Sequence, residues 1–127
     1  MRRHQILEKE FGIKSKDLLE NQRRFTKEDR KNGFSVCETW ALDYPFVCWL
    51  AEHVYLYKEV GGKVVDLDYK YPIFHYNDKE YTQAELIDVL LEKCKEWFKV
   101  QIWDDKADPL LRDICDIWKE LLPAMWW

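Results

Sequence analysis

The sequence predicts a mainly α fold, a compact bundle of about four to five helices, with residues 63–81 as the one stretch open to a short β-hairpin. Three observations predict it. Apolar residues recur at spacings of three and four along most of the chain. Capping side chains and prolines stand where those runs begin. Only after Gly61-Gly62 does the pattern change to β-branched and aromatic residues, and it changes back at Thr82. A chain of 127 residues with 47% hydrophobic content supports one core, because a domain of this size buries roughly two-thirds of its unfolded surface. Residues 1–127 are therefore read as a single domain.

Charge divides that domain. Residues 1–32 carry ten Lys/Arg against six Asp/Glu, a balance of +4, whereas residues 33–127 carry ten against eighteen, a balance of −8. The reading is a basic helical N-terminal segment, 1–32, followed by an acidic helical body, 33–127.

The elements follow in order. Ile6, Leu7 and Phe11 predict a helix over Arg3–Phe11 that ends at Gly12, a residue suited to the left-handed conformation of a helix terminus. Ser15 is placed to cap a second helix over Lys16–Phe25, in which Leu18, Leu19, Gln22 and Phe25 share a face. The polar stretch Thr26–Gly33, with its Asn32-Gly33 turn signal, reads as a linker. Ser35 and Glu38 form a capping-box pattern opening a short helix through Thr39, Trp40 and Ala41. Asp43 then reads as the N-cap of a longer helix, since Pro45 is tolerated only in a first turn. Its residues Phe46, Val47, Trp49, Leu50, His53, Val54, Leu56 and Tyr57 cover more than half the circumference, which predicts a central helix contacted from two sides.

Beyond Gly61-Gly62, the segments Val64–Asp68 and Tyr71–Tyr76 have extended-chain composition, and Asn77-Asp78 suits a tight turn. A small hairpin packed on the helices and an aromatic-rich loop both fit. Thr82 and Glu85 form a second capping box ahead of a helix reaching Lys99, with Leu86, Val89, Leu90, Cys94, Trp97 and Phe98 as its buried stripe. Asp104, Asp105 and Asp108 make an acidic connection, and Asp108-Pro109 reads as an N-cap followed by proline at the first helical position. Leu111, Ile114, Cys115, Trp118, Leu121 and Leu122 define the last helix, which Pro123 stops.

No chemical motif emerges. A catalytic thiol would need a base beside it. Cys48 and His53, five apart on one helix, project about 140° from each other, and Cys37 lacks a nucleophile signature. No cysteine pair has zinc spacing. Asp104, Asp105, Asp108, Asp113 and Asp116 lack a calcium-loop pattern and read as a solvated face. Gly12, Gly33, Gly61 and Gly62 form no phosphate cradle. The reading is a protein without catalytic residues, metal or cofactor. Cys37, Cys48, Cys94 and Cys115 sit far apart among apolar neighbours, which predicts reduced, buried thiols and an intracellular protein. No apolar run approaches the ~20 residues of a membrane span, and the charged N-terminus reads against a signal peptide. The acidic body disfavours direct nucleic-acid binding.

What stands out is aromatic surplus. Seven Trp and seven Tyr exceed what one small core readily encloses, so some should meet another macromolecule. Met125, Trp126 and Trp127 are the sharpest case, either a latch on the chain's own core or an anchor for a partner. Tyr55, Tyr69, Tyr71 and Tyr76 can extend such a surface and Asp104 and Asp105 can give it charge, while Trp40 and Trp49 are expected inside.

The segment Glu38-Thr39-Trp40-Ala41-Leu42-Asp43-Tyr44-Pro45-Phe46-Val47, continuing to Leu56-Tyr57-Lys58-Glu59, resembles a Trp-x-Leu/Phe-Asp helix pattern in small accessory proteins of tailed phages and prophages. The helix from Tyr81 to Phe98 looks like their second block. The likeness spans about half the chain and departs at Pro45, Val47, Cys48 and the Trp-rich tail. It implies a phage origin and a protein acting stoichiometrically in the cytoplasm of a bacterial host. The expected function is a protein-binding module that blocks a host defence effector, in the manner of an anti-CRISPR inhibitor. A homodimeric or structural phage component is the alternative, and an enzyme of unrecognised type the third.

Overall fold

The computed structural model describes residues 4–14, 27–33, 41–100 and 103–126. The fold is mainly α with one short antiparallel hairpin. Two compact units divide the chain, residues 1–52 and residues 53–127.

In the first unit, helix α1 (Gln5–Phe11) buries Leu7 and Phe11. It stops where expected: Gly12 takes φ +69°, and the N–H groups of Gly12 and Ile13 both return to the Leu7 carbonyl. His4, itself left-handed at φ +59°, meets the Glu52 carboxylate through its Nδ1. The expected helix over 16–25 lies outside the described residues, as do the Ser35–Glu38 capping box and Trp40. The expected linker does not hold, because Lys27–Asn32 forms helix α2. Lys, Glu and Arg are good helix formers, and Gly33 at φ +83° shows that the Asn32-Gly33 signal ends this helix.

Helix α3 (Asp43–Leu56) carries the chain from the first unit into the second. Its first bond runs from Phe46 N–H to the Leu42 carbonyl, so Leu42 occupies the cap and Asp43 the first helical position. The Asp43 carboxylate instead accepts from Tyr44 N–H at 2.8 Å. Pro45 thus stands third, where an N–H still has no intrahelical acceptor to lose. The buried set is one stripe, Val47, Leu50, Ala51 and Val54, with Cys48 beside it. Trp49, His53 and Leu56 are exposed, which corrects both the two-sided burial and the core placement of Trp49.

In the second unit α3 leads into a π-helical turn, Tyr57–Gly61. A Cβ on Gly62 would lie 2.4 Å from the Lys58 carbonyl oxygen, so this closure requires glycine. Val64–Asp68 is a series of turns rather than a strand. Its anchor is Leu67, buried and accepting Ala84 N–H at 2.8 Å. Strands β1 (Phe74–Tyr76) and β2 (Lys79–Tyr81) pair with Phe74 opposite Tyr81, His75 opposite Glu80 and Tyr76 opposite Lys79. Asn77 and Asp78 both have positive φ, 53° and 63°, the conformation a two-residue hairpin loop demands.

Helix α4 (Gln83–Lys99) starts with the predicted capping box: Glu85 N–H donates to Thr82 Oγ1 at 3.2 Å, and Thr82 N–H to Glu85 Oε1 at 2.8 Å. Leu86, Ile87, Leu90 and Cys94 are buried, while Val89, Trp97 and Phe98 are half-buried. Helix α5 (Ala107–Leu121) begins before its expected cap, because Leu110 N–H donates to the Lys106 carbonyl. Asp108 is therefore inside the first turn, and Pro109 again stands third. The start is fixed one step upstream, where Asp104 Oδ1 accepts from Lys106 N–H at 2.9 Å. The buried face of α5 is Ile114, Ile117 and Leu121. Cys115 and Leu122 are exposed, since admitting Ile117 rotates the stripe away from both. Helices α4 and α5 pack together, and the hairpin lies on them, β1 against α5 and β2 against α4.

Candidate functional site

The first candidate surface is aromatic. After α5 a 3-10 turn, Leu122–Ala124, carries the chain past Pro123. There Gln83 Nε2 donates to the Ala124 carbonyl at 3.4 Å and to the Tyr57 hydroxyl at 3.2 Å, which ties the tail to the start of α4. Beyond the tie Met125 is half-buried and Trp126 is 77% exposed. Trp127 lies outside the described residues. The tail is thus held by its backbone at Ala124, while the Trp126 ring is turned outward.

The loop before α5 presents a second indole. Trp103 is 78% exposed, with exposed Asp104 and Asp105 directly after it. Sequence reasoning missed Trp103, although its place beside two aspartates in a connection was a usable signal. Tyr69 and Tyr71 are exposed on the loop before β1, and Tyr55 is half-buried on α3. Among the described residues no hydrogen bond or ring contact joins Tyr69, Tyr71, Trp103 and Trp126 to one another.

The second candidate is a polar cleft of about 580 Å³ on the second unit. The hairpin contributes His75, Tyr76 and Asn77, α4 contributes Lys93, and α5 contributes Asp113, Asp116, Lys119 and Glu120. Helical spacing explains the last group, since positions three, four and seven apart share a face. Asp113 is its hub. The Tyr76 hydroxyl lies near enough to feel the charge of that carboxylate, and Lys93 Nζ stands 3.6 Å from it. Burial raises the Tyr76 pKa above the usual phenol value, and the charges of Asp113 and Asp116 push it the same way. The ring is also positioned by Tyr81, their centroids 6.5 Å apart at a tilt of 45°.

Among the described residues no three His, Cys, Asp or Glu side chains converge on a point that could hold a metal ion, and no helix is long and apolar enough to cross a membrane. Compared with known protein families, curated proteins and solved structures, the chain matches none.

Proposed function

We propose that this chain is a non-enzymatic protein-binding module whose exposed indoles anchor a partner with a basic, partly apolar surface. The observation that carries this reading is the exposure of Trp103 and Trp126, 78% and 77%. Tryptophan is the side chain that gains most from being covered at an interface, because its large apolar face comes with a single donor to satisfy. Asp104 and Asp105 beside Trp103 favour a cationic surround, and the acidic residues 33–127 would steer the encounter. Given the likeness to phage accessory proteins, the partner class is a bacterial defence effector such as a CRISPR nuclease, whose nucleic-acid groove offers that surface.

The test is capture from a bacterial lysate and from a panel of purified CRISPR effectors, at low and high salt. A partner should be retained by the wild type and lost with Trp103→Ala/Trp126→Ala. Capture of none at either salt, or capture indifferent to both substitutions, overturns the reading. Light scattering at micromolar concentration addresses the alternative phage homo-oligomer, in which the same indoles meet a second copy; a monomer rejects it.

A further inference from the structure

Three asparagines occur in the chain: Asn21 precedes Gln22, Asn32 precedes Gly33 and Asn77 precedes Asp78. Asparagine is thermolabile, because its side-chain amide can be attacked by the main-chain nitrogen of the next residue, closing a five-membered ring. The bulk of that next residue and a main chain held in place both oppose the attack. At Gly33 the first obstacle is missing, since glycine has no Cβ. Gly33 also takes a left-handed φ of +83°, and an added Cβ would meet nothing beyond its chain neighbours within 4 Å, so its surroundings leave the nitrogen approachable. The second obstacle is weak at the same place. Asn32 is exposed and is the final residue of α2, a helix of six residues. So short a helix draws little strength from its own hydrogen bonds, and helix ends open at almost no cost in free energy. Among the described residues none is hydrogen-bonded to the Asn32 side chain. Asn77 is the contrast: Asp78 after it carries a side chain, and both are held at positive φ in the two-residue loop between paired strands.

We propose that Asn32-Gly33 is a site of spontaneous covalent modification, at which the chain converts its own side-chain amide into a carboxylate. The Gly33 nitrogen forms a bond to Asn32 Cγ as the Cγ–Nδ2 bond breaks, and the Gly33 amide proton departs with Nδ2 as ammonia. No atom changes oxidation state. The product is a cyclic imide, and water, which reaches this exposed site, adds to one of its two carbonyls. Opening on one side gives aspartate. Opening on the other gives isoaspartate, in which the main chain runs through the former side chain and is one methylene longer. Either product places negative charge at the C-terminal end of α2, where the helix dipole disfavours it. One acidic group added to the six of residues 1–32 lowers their balance from +4 to +3. Isoaspartate also shifts Gly33 away from the helix it terminates. An aged chain therefore differs from a new one at one defined position of its basic segment, whether or not a partner is bound.

The experiment stores the purified full chain at mildly alkaline pH beside a blocked Lys-Asn-Gly-Phe peptide. Both are followed by mass spectrometry of digests and by methyl transfer from S-adenosylmethionine with an isoaspartyl methyltransferase. Loss of ammonia and gain of water should map to Asn32, with isoaspartate exceeding aspartate, at a rate within about ten-fold of the peptide's. Asn77 should remain an amide over the same time. Mildly acidic pH should slow the reaction, since the attacking Gly33 nitrogen must first lose its proton. Asn32→Gln, which can close only a six-membered ring, should lose the modification at that position. The unmutated chain decides the matter even if that variant fails to fold: an Asn32 protected more than about ten-fold relative to the peptide, or an Asn77 that converts as fast, overturns the proposal. Isoaspartyl methylation undiminished by Asn32→Gln in a folded chain overturns it as well.

Discussion

Tyr76 sits at the end of β1 beside Asp113, and its pKa is raised by burial first and by Asp113 and Asp116 second. An acid whose pKa is higher folded than unfolded holds its proton more tightly in the native state. Its contribution to stability is complete below the unfolded value, about 10, and is lost as pH rises through the raised folded value. Phenolate absorbance should therefore include a late-ionising component that Tyr76→Phe removes. The urea midpoint should also fall more steeply above pH ~10 in the wild type than in Tyr76→Phe. A wild-type titration with no late component refutes the assignment. Single side chains were the least legible level of the sequence. Composition identified an aromatic surplus but could not say which rings face outward, so Trp49 was expected inside and Trp103 was passed over. Cys115 was misplaced for a related reason: a thiol among apolar neighbours looks buried until the helix face is fixed.

At the level of elements, the sequence was read most accurately where local hydrogen bonding decides the outcome. Gly12, the Thr82–Glu85 box and the Asn77-Asp78 turn all carry the conformations their residue types demand. Errors arose where a signal was right but shifted. Pro45 stands in the first turn as expected, with the cap one residue earlier than Asp43, whereas Pro109 is expected at the first helical position and stands at the third, because the whole first turn lacks intrahelical acceptors and spacing alone cannot choose among its sites. The stripe of α5 was similarly rotated to omit Ile117. Burial makes the revised stripes testable. Leu90 on α4 and Ile114 on α5 are fully buried, so truncating either to Ala should cost ~2–5 kcal/mol. Leu122, part of the originally expected stripe but 52% exposed, should cost within about 0.5 kcal/mol as Leu122→Ala. Urea denaturation of the three variants checks the order, and a loss at Leu122 matching that at Leu90 would reject the observed face.

At the scale of the whole molecule, fold class and charge asymmetry were legible, whereas the cleft was not. It joins a hairpin to two helices, and nothing in a single sequence marks His75, Lys93 and Glu120 as neighbours. The solvated face expected of Asp113 and Asp116 holds, Asp116 being exposed and Asp113 half-buried, but the hairpin across from them is invisible in the spacing of one helix. Residues 53–127 carry fifteen acidic against ten basic residues, and Trp103 and Trp126, the two indoles more than three-quarters exposed, belong to them. Charge of this kind acts on encounter and close packing on residence. With a captured partner on a sensor surface, salt should slow association, whereas Trp126→Ala should speed dissociation and leave the association rate nearly unchanged. An association rate indifferent to ionic strength would remove charge from the account.

The hold that Gln83 keeps on the last residues gives the tail a mechanical meaning. One amide group grips the Ala124 carbonyl and the Tyr57 hydroxyl together, so a displacement of Trp126 should be felt at the first turn of α4 and at the π-helical turn. A reporter placed near Gln83 should therefore register such a displacement without touching the Trp126 ring.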